Sequence, residues 1–385
     1  MVDRLLAKTL ADATKSFLVL GPRQTGKSTL IQSLAPDLEI NLARESEFLT
    51  FSTNPGELEQ RLDASAATTV FIDEVQRLPS LLNTVQALID DAKRAGEARR
   101  FFLTGSSARK LRRGQANLLP GRLLTYSLGP LASVELEGGV DVGRALRFGT
   151  LPEPYLERDE HVAAKLLASY AGTYLKEEVQ AEALARNLQG FSRFLSVAAA
   201  SSGQLLDFSK LAQRARVSRT STMRYFELLE DTLLASRIAP YPDAGGAELV
   251  KHPRYFFFDV GVWNGLLANF VASVDRIGSL FEHLVVSQLQ ATAAAYDAHQ
   301  EIFTFRTRGG LDVDFIVRAA GVTWAIEAKA TSNVTDRDAA GLVAARAYLP
   351  GEVRGVIVTP AGPSRRLASG IRVLGLADLL AEVHQ

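Results

Sequence analysis

The sequence predicts an α/β protein in three parts: a parallel-sheet domain over 1–155, a helical middle over 156–242 and a second α/β domain over 243–385. Three observations carry this expectation. The run Gly21-Pro22-Arg23-Gln24-Thr25-Gly26-Lys27-Ser28-Thr29 fills the phosphate-cradling pattern G-x-x-x-x-G-K-[ST], with an apolar run before it and a helical one behind. From about residue 160 the β-branched runs give way to apolar residues at helical spacing. After Pro240 the strands return, with a hairpin and a Glu-x-Lys pair. A length of 385 residues suits two or three domains, and 47% hydrophobic with 22% charged residues describes an ordinary globular chain. Formal net charge is zero, so nucleic acid would be held by local patches and not by a global field. The chain has no cysteine, which excludes disulfides, Cys-ligated zinc, iron–sulfur clusters and thiol nucleophiles. No apolar stretch of about 18 residues is present to span a membrane, and the start does not read as a signal peptide. The expected compartment is the cytoplasm, with no membrane partner.

Taking the elements in order, Phe17-Leu18-Val19-Leu20 reads as the strand that delivers the chain to the loop. Glycines there let backbone amides turn toward phosphates, and the following helix adds its N-terminal partial charge. Lys27 would reach the β- and γ-phosphates of ATP, and Ser28, followed by Thr29, would offer a hydroxyl to magnesium. Thr69-Val70-Phe71-Ile72-Asp73-Glu74 is a second strand ending in two carboxylates. Asp73 would hold the magnesium ion and Glu74 would polarise the attacking water. Arg100-Phe101-Phe102-Leu103-Thr104 is a third strand, running into Gly105-Ser106-Ser107.

These stretches, with Phe71-Ile72-Asp73-Glu74-Val75-Gln76-Arg77-Leu78-Pro79 and Gly121-Arg122, resemble the AAA-like ATPases of bacteria and archaea that carry a C-terminal domain of unknown function. The resemblance covers about the first 150 residues. It implies the roles above for Lys27, Ser28, Asp73 and Glu74. In such ATPases a strand between the two motif strands ends in a polar residue that senses the γ-phosphate, which makes Thr104 and Ser106 the candidates; ordinary turn chemistry accounts for them nearly as well. Arg122 would be the catalytic arginine, in cis or across a subunit interface, or else a surface arginine. ATPases of this class often work as rings or dimers, which implies a homo-oligomer. Between these motifs, the fifteen positions Arg99–Arg113 hold six basic residues (Arg99, Arg100, Arg109, Lys110, Arg112, Arg113) and no acidic one. Such a cluster suits phosphate backbones or a solvated loop equally.

In the middle, Leu166, Leu167, Tyr170, Tyr174 and Leu175, then Phe191, Phe194, Leu195 and Val197, recur at helical spacing. Phe208 to Tyr225 reads as a helix, a tight turn near Val217-Ser218 and a second helix capped by Ser218, the pattern of a helix-turn-helix. Ser236-Arg237-Ile238 would begin a wing, giving a winged-helix-like module. Arg219, Thr220 and Arg224 would then face a DNA groove. From Leu205 to Pro240 the count is six basic against four acidic residues, a small excess for a DNA reader.

After the loop Tyr241-Pro242-Asp243-Ala244-Gly245-Gly246, a helix carries Glu282. The strands Glu301–Arg306 and Leu311–Val317 flank the turn Thr307-Arg308-Gly309-Gly310, and Thr323–Lys329 follows. Glu327 and Lys329 are two apart, so on a strand they share a face. Glu282, Asp314 and Glu327 converging near Lys329 would bind one or two divalent cations, magnesium with manganese as the alternative. This order resembles the PD-(D/E)XK nuclease superfamily over roughly 275–360. It implies a restriction-endonuclease-like domain with Asp314, Glu327 and Lys329 catalytic and Glu282 an outer metal ligand. Two departures stand: no proline precedes the aspartate, and Asp312 has no role. The five histidines (His161, His252, His283, His299 and His384) show no metal-ligand spacing.

Two functions fit. One is an ATP-driven machine that positions nucleic acid, DNA before RNA, and cuts it. The other is a nucleotide-gated DNA- or partner-binding regulator without nuclease activity.

Overall fold

A computed structural model describes residues 2–107, 121–174, 188–242 and 248–384. The basic residues Arg109, Lys110, Arg112 and Arg113, the turn residues Leu119 and Pro120, Leu175 with the side chain of Tyr174, and Asp243 to Gly246 lie outside the described residues. The chain divides into two compact units, Met1–Gly129 with Asp231–Leu233, and Pro130–Glu230 with Leu234–Gln385.

The first unit is built on strands β1 (Ser16–Leu20), β2 (Leu38–Asn41), β3 (Thr69–Asp73), β4 (Arg100–Gly105) and β5 (Leu123–Ser127). They are all parallel, in the order β2-β3-β4-β1-β5. Every residue of β1 is buried, as a central parallel strand with helices on both faces requires. On one face Leu18, Ile72 and Leu103 pack with Leu58, Leu62, Leu82 and Val85 from helices Glu57–Ser65 and Leu81–Ala95. On the other, Phe17, Val19, Phe71 and Phe102 meet Leu6, Leu10, Leu30 and Ile31 from helices Leu6–Ala11 and Lys27–Gln32. The order puts β4 between the two motif strands, so Gly21, Asp73 and Thr104 share the carboxyl edge of one sheet. That edge is where open α/β sheets bind ligands.

The second unit carries a mixed eight-stranded sheet ordered β12-β13-β11-β10-β9-β8-β6-β7. Its strands are β6 (Ala235–Pro240), β7 (Arg254–Phe257), β8 (Gln300–Arg306), β9 (Asp312–Ala319), β10 (Val322–Ala328), β11 (Val353–Thr359), β12 (Arg365–Arg366) and β13 (Arg372–Gly375). The hairpin β8–β9 turns where the sequence predicts it, and Gly310 takes the left-handed φ of 91° that its closing position needs.

The first compact unit closes at Gly129, and the stretch that the sequence reads as the helical middle lies in one unit with the C-terminal sheet. Two buried side chains tie the stretch from Leu131 to Thr150, ahead of that middle, into the same unit. Gln288, on helix Ile277–Ala295, donates to Leu131 O at 3.0 Å and Thr150 Oγ1 at 3.1 Å, and accepts from Ser133 N at 2.7 Å. Asp259 caps helix Val260–Leu266 through Val262 N (3.0 Å) and also accepts Thr150 N at 2.7 Å. Residues 235–240 form a sheet strand shared by both halves: β6 pairs antiparallel with β7 and parallel with β8.

Candidate functional site

The phosphate loop begins where β1 ends. Gly21 N donates to Gly105 O at 3.2 Å, and a Cβ at Gly21 would sit 2.1 Å from Leu128 O, so the position accepts only glycine. Gln24 (φ 61°) and Gly26 (φ 90°) adopt left-handed backbone, which turns the loop before helix Lys27–Gln32 starts. Thr25 closes the loop with a 2.9 Å bond from Oγ1 to Pro22 O. Lys27, 5% exposed, folds its ammonium back onto Gly21 O (2.9 Å) and Pro22 O (2.8 Å), inside the space the loop encloses. Arg4 braces the loop from outside, donating to Thr25 O at 2.7 Å and Gly129 O at 3.0 Å.

Beneath the loop the acidic strand end is fully engaged. Ser28 Oγ donates to Asp73 Oδ2 at 2.9 Å, while Thr104 Oγ1 donates to Asp73 Oδ1. Thr104 Oγ1 also accepts Glu74 N at 3.2 Å. Of the two candidate sensors, Thr104 therefore touches the metal-type aspartate, and Ser106 touches the other carboxylate, donating to Glu74 Oε2 at 3.2 Å. Gln76 donates to Glu74 as well and to Ser106 Oγ at 2.9 Å, and Arg23 approaches Glu74 to 3.9 Å. Glu74 itself stands at φ 57°.

Arg122 does not join this group. It directly precedes β5, whose first residue pairs with Ser16 at the start of β1, whereas the loop follows Leu20 at the other end. Five strand residues separate the two ends by roughly 16 Å. Arg122 there forms a two-pronged ion pair with Asp90, at 2.7 and 2.9 Å, which holds the Asp90 carboxyl below its ordinary range. A role for Arg122 in cis is thereby overturned. The described part of the basic stretch sits at that same end: Arg100 donates to Ala13 O at 2.7 Å, and Arg99 lies 3.4 Å from Glu97.

In the second unit Asp314 and Glu327 lie on neighbouring central strands, one step beyond the pair Phe315↔Ile326. Asp314 Oδ2 accepts Ala328 N at 2.8 Å, and Lys329 Nζ donates to Glu327 Oε1 at 2.9 Å. Helix Ile277–Ala295 brings Glu282 to the same place. Burial, with the Asp314 charge next, pushes the Glu282 carboxyl up to about 8 and that of Glu327 up to about 7. Burial also raises Asp314. For Lys329 burial acts downward, but the bond and charge of Glu327 outweigh it and the ammonium is strengthened.

The expected cation cage is not what these residues build. Among the described residues no group of three His, Cys, Asp or Glu side chains is arranged to hold a metal ion. Arg254 of β7 stands among them instead, bonding Glu282 and Gly203 O and lying 3.5 Å from Asp314 O. Its guanidinium covers the rings of Phe256 (5.1 Å) and Phe315 (5.7 Å). Two carboxylates thus already have internal cations, Arg254 for Glu282 and Lys329 for Glu327. As arranged, the site does not fit magnesium or manganese. His283, next to Glu282, is a wall residue: Nε2 donates to Phe257 O at 2.6 Å, and burial holds the ring down at about 4, neutral at pH 7.

The helix-turn-helix forms as helices Phe208–Ala215 and Arg219–Asp231, with Ser218 Oγ accepting Ser221 N at 3.0 Å. Lys210, Arg214, Arg216, Arg219, Thr220 and Arg224 are exposed on it. Leu205, ahead of the two helices, bridges Arg254 antiparallel, and the β6–β7 pair follows them. Sequence reasoning missed Arg4, Gln76 and Arg254. The last had a signal, since an arginine opening the apolar run Tyr255-Phe256-Phe257-Phe258 enters a buried strand and needs a partner there.

Residues 13–137 match a family described as AAA domain; 140–272 and 277–379 match two domains of unknown function (DUF8612 and DUF4143). An uncharacterized protein of Mycobacterium tuberculosis is 26% identical over 326 residues, 82% of this chain and 70% of that one. Another, from Haemophilus influenzae, is 23% identical over 337 residues, 79% of each chain. Among solved structures, the Aeropyrum pernix Orc1 protein in complex with DNA is 14% identical, covering 70% of this chain and 91% of that one. Its TM-score of 0.31 is too low to establish a shared fold. No helix among the described residues is long and apolar enough to cross a membrane. Family match and loop geometry together make residues 13–137 an AAA-like ATPase domain.

Proposed function

We propose that this chain hydrolyses ATP in its first unit and holds nucleic acid, DNA in preference, with its second, the nucleotide state governing the grip. The bonded group Ser28–Asp73–Thr104 beneath the phosphate loop is the observation that carries it. Loop amides and Lys27 would take the phosphates, Lys27 exchanging its two loop carbonyls for phosphate oxygens. Ser28 Oγ and Asp73 Oδ2 are hard oxygen donors 2.9 Å apart and fit magnesium, which would neutralise triphosphate charge. Glu74 would orient the attacking water once Gln76 and Ser106 release its carboxylate. Arg122, at the far end of its own sheet, would reach a nucleotide only across a subunit interface of a homo-oligomer. The exposed cations Lys210, Arg214, Arg216, Arg219 and Arg224 support the helix-turn-helix as the DNA contact, whose binding would weaken steeply with salt.

The second reading is a nuclease. It is favoured by one arrangement: Asp314 on β9, Glu327 on β10 and Lys329 just past its end lie together, as the PD-(D/E)XK resemblance requires of a restriction-endonuclease-like domain. The Arg254–Glu282 pair stands against it.

The test measures ATP hydrolysis together with cleavage of labelled single- and double-stranded DNA, with magnesium or manganese. Lys27→Ala is expected to lower hydrolysis by roughly a hundredfold or more, the scale of a lost transition-state contact. Intact hydrolysis in that variant would sink the ATPase reading. No cutting by the wild type supports the nucleotide-switched binder; cutting lost in Glu327→Ala establishes the nuclease.

A further inference from the structure

The phosphate loop carries two cations, and they reach different places. Lys27 is buried and folded back on the carbonyls of Gly21 and Pro22. The Arg23 side chain is 40% exposed and extends to Glu74, with 3.9 Å between its Nη2 and Oε2. That separation is too long for a hydrogen bond, so this contact is one of charge. Glu74 accepts its hydrogen bonds from Gln76 and Ser106. An ion pair of this length between partly exposed groups is weakly held and easily exchanged.

The span that Arg23 crosses, from the loop to the end of β3, is the one the terminal phosphate of ATP would enter. Lys27 and the cation at Ser28 and Asp73 would hold that phosphate on one side, and Glu74 would orient water on the other. In hydrolysis the water oxygen bonds to the γ-phosphorus while the bond to the β–γ bridging oxygen breaks. ADP leaves with that electron pair, and the water proton passes to a phosphate oxygen. Negative charge spreads over the transferring group, and a guanidinium fork matches its oxygens. Arg122, paired with Asp90 at the other end of the sheet, cannot supply the fork in cis. Arg4 gives its bonds to Thr25 O and Gly129 O, and Arg77 gives its own to Leu42 O, Ala43 O and Glu45. Of these four arginines, Arg23 is the one at Glu74.

We infer that Arg23 is a catalytic arginine supplied in cis by the phosphate loop, which leaves Glu74 for the γ-phosphate when ATP arrives. The triphosphate bears several negative charges against the single one on Glu74, so the exchange runs toward the nucleotide. The same movement removes a cation from Glu74 as its carboxylate turns to water. The inference rests on the reading that the first unit hydrolyses ATP, and gives that reaction a charge-stabilising group which only bound nucleotide engages.

The test compares the full chain with Arg23→Ala and Arg23→Lys, changes at a partly exposed side chain that open no buried cavity. Three quantities are read: kcat for ATP, affinity for a non-hydrolysable ATP analogue, and trapping of ADP with fluoroaluminate, a mimic of the γ-phosphoryl group in transfer. Arg23→Ala is expected to lower kcat roughly a hundredfold or more, the scale of a lost transition-state donor, with analogue affinity unchanged and trapping lost. Arg23→Lys, which keeps the charge without the fork, is expected to fall between the two. An arginine that only restrained Glu74 would leave turnover unchanged or faster once removed, and that result overturns the inference. So does slow turnover with trapping intact, which would make Arg23 a support for Glu74, and so does loss of analogue binding, which would make it a brace of the loop. A wild type that binds the analogue but never turns over ATP overturns the hydrolysis reading, and this inference with it.

Discussion

Asp259 is the residue at which burial and hydrogen bonding conflict most plainly. Burial drives its carboxyl up to about 6, although the backbone amides of Thr150, Val262, Gly261 and Leu151 all pull it down. Its folded value lies above the unfolded 3.8, so the native chain holds this proton more tightly than the unfolded one. The stabilising contribution is complete below pH 3.8 and is lost as pH rises through about 6. A carboxyl held at about 6 in place of 3.8 weakens the folded state by about 3 kcal/mol at neutral pH relative to acid. Urea unfolding at pH 4 to 7 should therefore show a steeper decline in wild type than in Asp259→Asn, where the raised carboxyls of Glu282 and Glu327 still contribute; parallel profiles would refute the assignment. That Ser28, Asp73 and Thr104 come together was legible because each stands in a short ordered motif. For Arg122 the sequence left the cis and across-interface roles open, because a lone arginine after a turn carries no record of which end of the sheet it reaches.

At the scale of elements, helix Val260–Leu266 shows how closely the C-terminal half is fitted to Phe148 and Gly149, which precede the middle. A Cβ at Gly261 would lie 2.1 Å from Phe148 O and 2.9 Å from Gly149 N, backbone atoms that cannot move aside cheaply. Gly261→Ala should cost about 1–3 kcal/mol or more, read as a lower urea midpoint with an unchanged slope. A variant as stable as wild type would mean the helix slides freely, against the packing described. None of this was legible beforehand. Periodicity reports which face of a helix is apolar, and not which distant segment covers it. For the same reason β8, β9 and β10 were readable from the hairpin signal and alternation, while the addition of β6 to that sheet was not. Arg254 illustrates the point at the second site: the carboxylates were visible as a motif, but their internal counter-ion comes from a strand outside it.

Over the whole molecule, the two units set different thermal responses. Nucleotide contacts predicted from the loop fall entirely in Met1–Gly129, so ligand should stabilise that unit first. At a hundred times its dissociation constant, a non-hydrolysable ATP analogue should add about 2.7 kcal/mol. Scanning calorimetry is expected to show this as an upward move of one transition, absent in Lys27→Ala. An equal rise of every transition would mean that the units unfold as one. The zero net charge, legible at once, is a statement about the whole chain and conceals the cationic face of Phe208–Ala215 and Arg219–Asp231.

The left-handed backbone of Glu74 (φ 57°) has an evolutionary consequence. Such a conformation disfavours a side chain by roughly 1–2 kcal/mol relative to glycine. A glycine there would relax the turn and make the domain sturdier while removing the carboxylate to which the proposed hydrolysis assigns the attacking water. Selection for durability and selection for catalysis thus pull this codon in opposite directions, and a lineage that abandons hydrolysis should lose its glutamate early.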